Sequence, residues 1–216
     1  MGRAAPLAWR GGTVSSGIVK HAVDGAWELG LEGFPGDEQA DLTVHGGPDK
    51  AVCAYAVEHR AGWEELLGVT LPSGAFGENL TLAGLGEDAV HIGDVLTVGG
   101  ARVQVSQPRG PCYKLAARWG RKDLPALMAR GGRSGYYFRV LEPGAVRAGD
   151  ELVLRERSSD VSVADVMRVT YRDRRDSSGL EAVLAVPELA QQWRDPLLVL
   201  ARRALLPLRD FGTEDS

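Results

Sequence analysis

The sequence predicts a mainly β protein: a closed or nearly closed barrel interrupted by short helices, followed by a small three-helix domain. Three observations carry that reading. Many short, partly alternating apolar segments are separated by glycine turns, which favours a barrel over a parallel sheet. Of the 28 glycines, 26 fall in the first 150 residues, as a chain of tight turns requires. Beyond about residue 157 the strand texture stops and helix-start patterns take over. The expected division is therefore a barrel domain over 1–156 and a helical domain over 157–216.

Taken in order, "TVSSGIVK" and "AWELGLEG" read as short strands broken by glycine. "KAVCAYAVEH" reads as a buried strand running into a helix, because "VEHRAGWEELLG" has helical spacing and ends in Gly68. "DVLTVGGARVQVSQ" is the clearest hairpin, with two alternating runs flanking Gly99-Gly100. "LAARWG" and "LPALMARGG" read as short helices, and "SGYYFRVLEPGAVRAGDELVL" adds two strands around a Pro-Gly turn. "RERSSD" is a polar linker. After it, Ser162 with Asp165 and Ser178 with Glu181 form capping-box patterns. The last helix is expected to open with Asp195 as cap and Pro196 at its first position.

Composition narrows the function. A net charge of -4 argues against a polyanion-binding protein, so any phosphate site must be local. The tail segments "YRDRRD" and "ARRALLPLR" raise nucleic acid as a ligand, but acids interleave the first, and Arg202 and Arg203 read as a solvated helix face. No apolar run approaches the roughly 18 residues of a membrane helix. "MGRAAPLAWRGG" lacks the apolar core of a secretory signal, so the chain is expected in the cytoplasm, with no membrane partner. Cys53 and Cys112 make neither a disulfide framework nor a clustered metal spacing.

Three stretches are too particular for scaffolding alone. "GDEQADLTVHGGPDKAV" combines Asp37, Asp41, His45, Gly46, Gly47, Asp49 and Lys50, and its glycines allow backbone amides to approach an anion. "GAFGENL" presents Glu78 and Asn79 after two glycines. "QPRGPCYK" sets Cys112 between Arg109 and Lys114. If Pro111 starts a helix, Cys112 lies in its first turn, where the helix terminus and both cations favour a thiolate, the form that ligates metals or attacks electrophiles. An inert, half-buried thiol is the other reading of that stretch, and the stretch alone leaves both standing. Cys53, in "KAVCAYAV", reads as a buried inert thiol. His45 is the candidate histidine partner; His59 reads as a solvated helix residue, and His21 and His91 as strand-edge residues. Protein ligands alone do not complete a metal site here, but one thiolate suffices for a metal already held by an organic cofactor.

These stretches, with "VHIGDVLTVGGARVQVSQPRGPCYKLA" and "GYYFRVLEPGAVRAGDELVL", resemble the MOSC domain, named for the C-terminus of molybdenum cofactor sulfurases, and within it the bacterial YiiM-like group. The resemblance runs from about residue 16 to 156, and the helical tail is similar to the three-helix domain that follows in that group. It implies a β-barrel binding the molybdenum cofactor, a pterin dithiolene with a phosphate tail. Cys112 is then the molybdenum ligand and catalytic residue, and Lys20, His45, Gly46, Gly47, Lys50, Asn79 and Arg109 hold the cofactor. Asp41 and Glu78 would lie in the pocket without an assigned role. The resemblance further implies reduction of N-hydroxylated compounds, such as hydroxylaminopurines and amidoximes, with electrons from a separate electron-transfer protein. A carrier of the cofactor, or of a persulfide on Cys112, is the alternative. Tyr136-Tyr137 stands where the group has a Trp-Tyr pair, and the stretch before Thr13 has no counterpart.

Overall fold

The computed structural model describes residues 1–38 and 46–205; His45 and Asp41 fall outside them. Six strands make one curled sheet, a half-barrel: β4 (Val52–Ala56), β5 (Leu80–Leu82), β6 (Val95–Val98), β7 (Ala101–Pro108), β8 (Tyr136–Glu142) and β10 (Leu152–Glu156). Their order is β10-β6-β7-β8-β4-β5, antiparallel throughout except for the parallel pair β4–β5. Two further antiparallel pairs flank it, β1 (Ala5–Trp9) with β2 (Gly12–Ser16) and β3 (Ala26–Leu29) with β9 (Gly144–Arg147).

The expected hairpin is β6–β7, closing Val98 onto Ala101 across two residues. Gly99 sits at φ 53, and a Cβ there would come 2.4 Å from the Ala145 carbonyl, so glycine serves both backbone and packing. The two strands around the Pro-Gly turn do not pair with each other. β8 joins β7 and β4, whereas β9 crosses to β3, and β10 follows as a third strand. The stretch before Thr13 forms β1, whose Trp9 ring lies 6.0 Å from the Tyr113 ring.

Six helices are described: α1 (Arg60–Leu67), α2 (Tyr113–Trp119), α3 (Leu124–Gly131), α4 (Val163–Tyr171), α5 (Ser177–Ala185) and α6 (Gln191–Leu205). The α4 capping box forms as read, with Ser162 and Asp165 bonding reciprocally. α5 is capped instead by Asp176, whose carboxylate accepts from the Gly179 N–H, because the helix opens at Ser177 and puts Ser178 inside. α6 starts at Gln191, with Pro196 inside it. The Trp193 and Arg194 N–H groups bond the Ala190 carbonyl, and the Arg194 guanidinium holds the Leu184 and Val186 carbonyls. These bonds begin the helix earlier than Asp195 and outweigh the backbone bond that the proline removes.

One hydrophobic cluster spans sheet and tail. Val103, Val105 and Phe138 from the sheet pack with Val166, Leu180 and Leu197 from the helices, all at most 1% exposed. Burying each such side chain contributes roughly 1.5–3 kcal/mol. No described helix is long and apolar enough to cross a membrane.

Candidate functional site

The end of β7 delivers the chain to Arg109, Gly110, Pro111 and Cys112. Cys112 adopts an extended conformation (φ -117, ψ 165), and its carbonyl accepts from the Leu115 N–H at 3.1 Å. It is therefore the N-cap of α2 and not a first-turn residue, which corrects the expectation that Pro111 opens the helix. The proline instead stiffens the approach.

Cys112 borders a cavity that also takes in Lys20, Lys50, Asn79 and Arg109, so five of the expected site residues converge. Gly46 and Gly47 do not line it. Gly47, at φ 96, caps the 3-10 turn Pro48–Lys50, and its carbonyl accepts the Lys50 N–H, which delivers Lys50 to the cavity wall. Burial lowers the Lys50 ammonium pKa more than neighbouring Asp49 raises it.

Arg109 is 7% exposed, and its Nη1 is buried with no hydrogen-bond partner among the described residues. Burial opposes its charge, but neighbouring groups, Glu78 among them, outweigh burial, and its pKa is raised. No salt bridge holds it among the described residues. Its backbone is fixed from the neighbouring loop: the Arg109 N–H donates to the Gly135 carbonyl at 2.9 Å, and the Ser134 hydroxyl donates to the Arg109 carbonyl at 2.5 Å. Buried Glu87 anchors that loop by accepting from the Gly135 N–H at 2.8 Å, and it also contacts the His59 Nε2 at 2.6 Å. His59 is thus half-buried and paired, where a solvated face was expected; only the tertiary fold brings Glu87 to it.

Lys20 pairs with Asp37 at 2.5 Å. The Asn79 amide spans two elements: Nδ2 donates to Asp37 at 2.7 Å, and Oδ1 accepts from the Cys53 N–H at 3.0 Å. Asn79 therefore organises the wall it belongs to. Glu78 accepts from the Phe76 N–H and the Thr81 hydroxyl, bracing its own loop, and it lines a neighbouring cavity instead.

Sequence reading missed Cys53, Lys114 and Tyr137 as cavity residues. Lys114, a cation beside Cys112 in the sequence, is buried at the cavity in α2. Cys53 is buried as expected, and burial pushes its thiol pKa up against the opposing pull of Arg109 and Lys20. Tyr137 stands opposite Cys53 in the β4–β8 register. Burial and Cys53 raise its hydroxyl pKa despite Arg109, so the phenol keeps its proton. Apolar runs mark Cys53 and Tyr137 as strand residues but do not say which barrel end they reach. Among the described residues no three His, Cys, Asp or Glu side chains converge as a metal site. The arrangement brings two thiols, Cys53 and Cys112, together with four basic side chains and Glu38 around one cavity, with Lys20 already paired to Asp37.

A MOSC domain model matches residues 41–153, and a YiiM-like 3-alpha helix domain model matches residues 161–197. The chain is 44% identical to the Bacillus subtilis protein YflK over 209 residues, covering 96% of this chain and 94% of that one. It is 40% identical to Escherichia coli YiiM over 183 residues, covering 82% and 81%. A Gibberella moniliformis protein named a reductase is 36% identical over 168 residues, which span 74% of this chain and 29% of that protein. The crystal structure of YiiM from Geobacillus stearothermophilus superposes with a TM-score of 0.78 at 37% identity, covering 93% of this chain and 96% of that one. Matched in both its sheet and its helical tail, the chain belongs to the MOSC family, and within it to the YiiM-like proteins.

Proposed function

We propose that this protein is a molybdenum cofactor-dependent oxidoreductase that reduces N-hydroxylated compounds, of the hydroxylaminopurine or amidoxime type, with electrons from a separate redox protein. The observation that carries the reading is Arg109: a buried, charged guanidinium whose Nη1 has no partner among the described residues, beside Cys112 and three lysines. Such a group is costly unless an anion enters, and a phosphate-bearing dithiolene cofactor supplies both the anion and a metal that accepts a thiolate. The residues present fit that group. The general association of MOSC domains with this cofactor and the name of the Gibberella relative point the same way.

Cys112 would ligate the metal, while Arg109, Lys20, Lys50 and Lys114 would face the cofactor's phosphate. Bound there, the cofactor supplies two-electron chemistry at the N–O bond. The chain's own contribution is to hold that group and orient the substrate. Cys53 does not compete as a ligand, because burial keeps it a thiol. Tyr137, its proton retained, lines the same cavity.

The test is molybdenum content by elemental mass spectrometry, with wild type and Cys112→Ala purified from a host that makes the cofactor. The expected result is near one metal per wild-type chain, loss in the variant, and N-hydroxylamine reduction by wild type alone once a reductant is supplied. Transfer of cofactor or sulfur to another protein without turnover would favour the carrier reading.

A further inference from the structure

Next to Cys112 the surface carries an aromatic pair. Tyr113 follows Cys112 directly and is 46% exposed, although it opens α2. Its ring lies 6.0 Å from that of Trp9 on β1, and the Arg10 guanidinium sits 5.2 Å from the centre of the Trp9 ring. Arg10 and Gly11 form the two-residue loop of the β1–β2 hairpin, at φ 50 and 80, with Trp9 opposite Gly12. Such a loop favours glycine or asparagine, because a Cβ strains left-handed backbone. Arg10 is the only non-glycine residue with positive φ among the described residues. A cation is held at this tip against local backbone preference.

The lobe that carries the pair is basic in an acidic protein. Residues 1–23 and 109–133 hold ten lysines and arginines against one acid, Asp123; the rest of the chain holds 15 against 28. The two segments pack as one unit, since Leu7 joins the cluster of Leu115, Leu124 and Met128, and the Arg118 guanidinium donates to the Ile18 carbonyl. Asp123 is already paired with Arg121 at 2.9 Å. The acids of α1, Glu64 and Glu65, lie toward the far end of α2, where Arg121 bonds the Leu66 carbonyl. The hairpin end therefore keeps its positive charge.

We propose that the surface centred on Trp9, Arg10 and Tyr113 docks the electron donor, and that the donor is a small protein with an acidic face around its redox group. This rests on the proposed function and names the partner it needs. A donor seated on Tyr113 is one peptide bond from Cys112. Tryptophan, tyrosine and arginine carry most of the binding energy at protein interfaces, and a basic patch steers an acidic partner toward it. Electron-transfer encounters bury less than about 1,200 Å² in total, so a patch this small suffices. Cleaving one N–O bond consumes two electrons and two protons and yields the amine and water. A one-electron donor must therefore call twice per turnover, which a weak, fast contact allows.

The test uses flavodoxin, an acidic protein whose reduced flavin gives up one electron at a time, with cofactor-loaded wild type, Arg10→Gly, Arg10→Glu and Arg202→Glu. Reduced methyl viologen, too small to need a docking face, is the reference donor. Glycine suits the backbone at position 10, so the melting temperature of Arg10→Gly should not fall. The KM for flavodoxin should rise about threefold in Arg10→Gly and about tenfold or more in Arg10→Glu, while methyl viologen rates stay within about twofold of wild type. Arg202→Glu makes the same charge change on α6 and should leave that KM unaltered. Raising salt from about 50 to 300 mM should weaken flavodoxin severalfold for wild type and less for Arg10→Glu. Calorimetric titration of oxidised flavodoxin into the cofactor-free proteins should rank them in the same order. Equal behaviour of all four proteins, an equal loss in Arg202→Glu, absence of binding, or turnover driven by methyl viologen but not by flavodoxin would overturn the assignment. Binding that Arg10→Glu alone weakens, with no turnover of any N-hydroxylated compound by either donor, would leave the docking surface standing and refute the proposed reaction.

Discussion

Replacing Arg109 by methionine should separate what the site costs the fold from what it does for the ligand. The guanidinium is 7% exposed, and its Nη1 is buried and unpartnered among the described residues. An unsatisfied buried donor costs about 1–3 kcal/mol, and methionine removes it while refilling most of the hydrocarbon volume. For a chain of this length each kcal/mol moves the melting temperature by about 2–4 °C, so Arg109→Met should melt about 2–12 °C higher than wild type when cofactor-free. The same change removes a charge-assisted bond to the ligand, worth about 1.5–3 kcal/mol, or about 10- to 150-fold in affinity. The assay is differential scanning calorimetry on both proteins from a cofactor-deficient host, paired with molybdenum content after expression in a competent one. A cofactor-free variant that melts below wild type would refute the reasoning, because Arg109 would then be a structural residue whose charge the fold satisfies by itself.

Two further outcomes are expected. Gly135 sits at φ 81, where a Cβ would lie 2.3 Å from the Ala54 carbonyl, and its own carbonyl accepts the Arg109 N–H. Gly135→Ala should cost at least about 1–2 kcal/mol from backbone strain alone, with molybdenum loading falling alongside the melting temperature as the loop carrying Arg109 shifts. Asp176 has its carboxyl lowered to about 2 by the Gly179 N–H, then by Arg168 and Ser178. Because the folded value lies below the unfolded one, its contribution is present above about pH 4 and fades as pH falls through 2. Asp176→Asn should therefore flatten the acid limb of a urea-unfolding series between those limits; an unchanged limb would exclude that role.

Local chemistry made the sheet readable and left its connections obscure. The β6–β7 hairpin announces itself through Gly99-Gly100 between alternating runs, and the α4 cap through Ser162 and Asp165, because each signal acts within a few residues. The pairing of β9 with β3 depends on residues more than a hundred apart, which no local pattern encodes. The same divide runs through the site. Cys112, Arg109 and Lys50 stand out by composition, yet Cys53 and Tyr137 reach the cavity only because β4 and β8 lie in register. Pro196 misled for a related reason: it is a good helix opener in isolation, and the bonds that start α6 earlier come from Arg194 reaching back to the end of α5.

The ends of the six-stranded sheet carry a consequence for how copies of this chain meet one another. One edge is β5, three residues long, and the other is β10, whose register slips between Leu154 and Glu156 beside Arg155. A short edge offers few open backbone groups, and a bulged, charged one presents them out of step. Neither gives an incoming strand a continuous template. At the concentrations reached during overexpression, strand-by-strand accretion should therefore be a minor route to aggregates, and the exposed apolar residues Leu198 and Val199 of α6 become the surface to modify first.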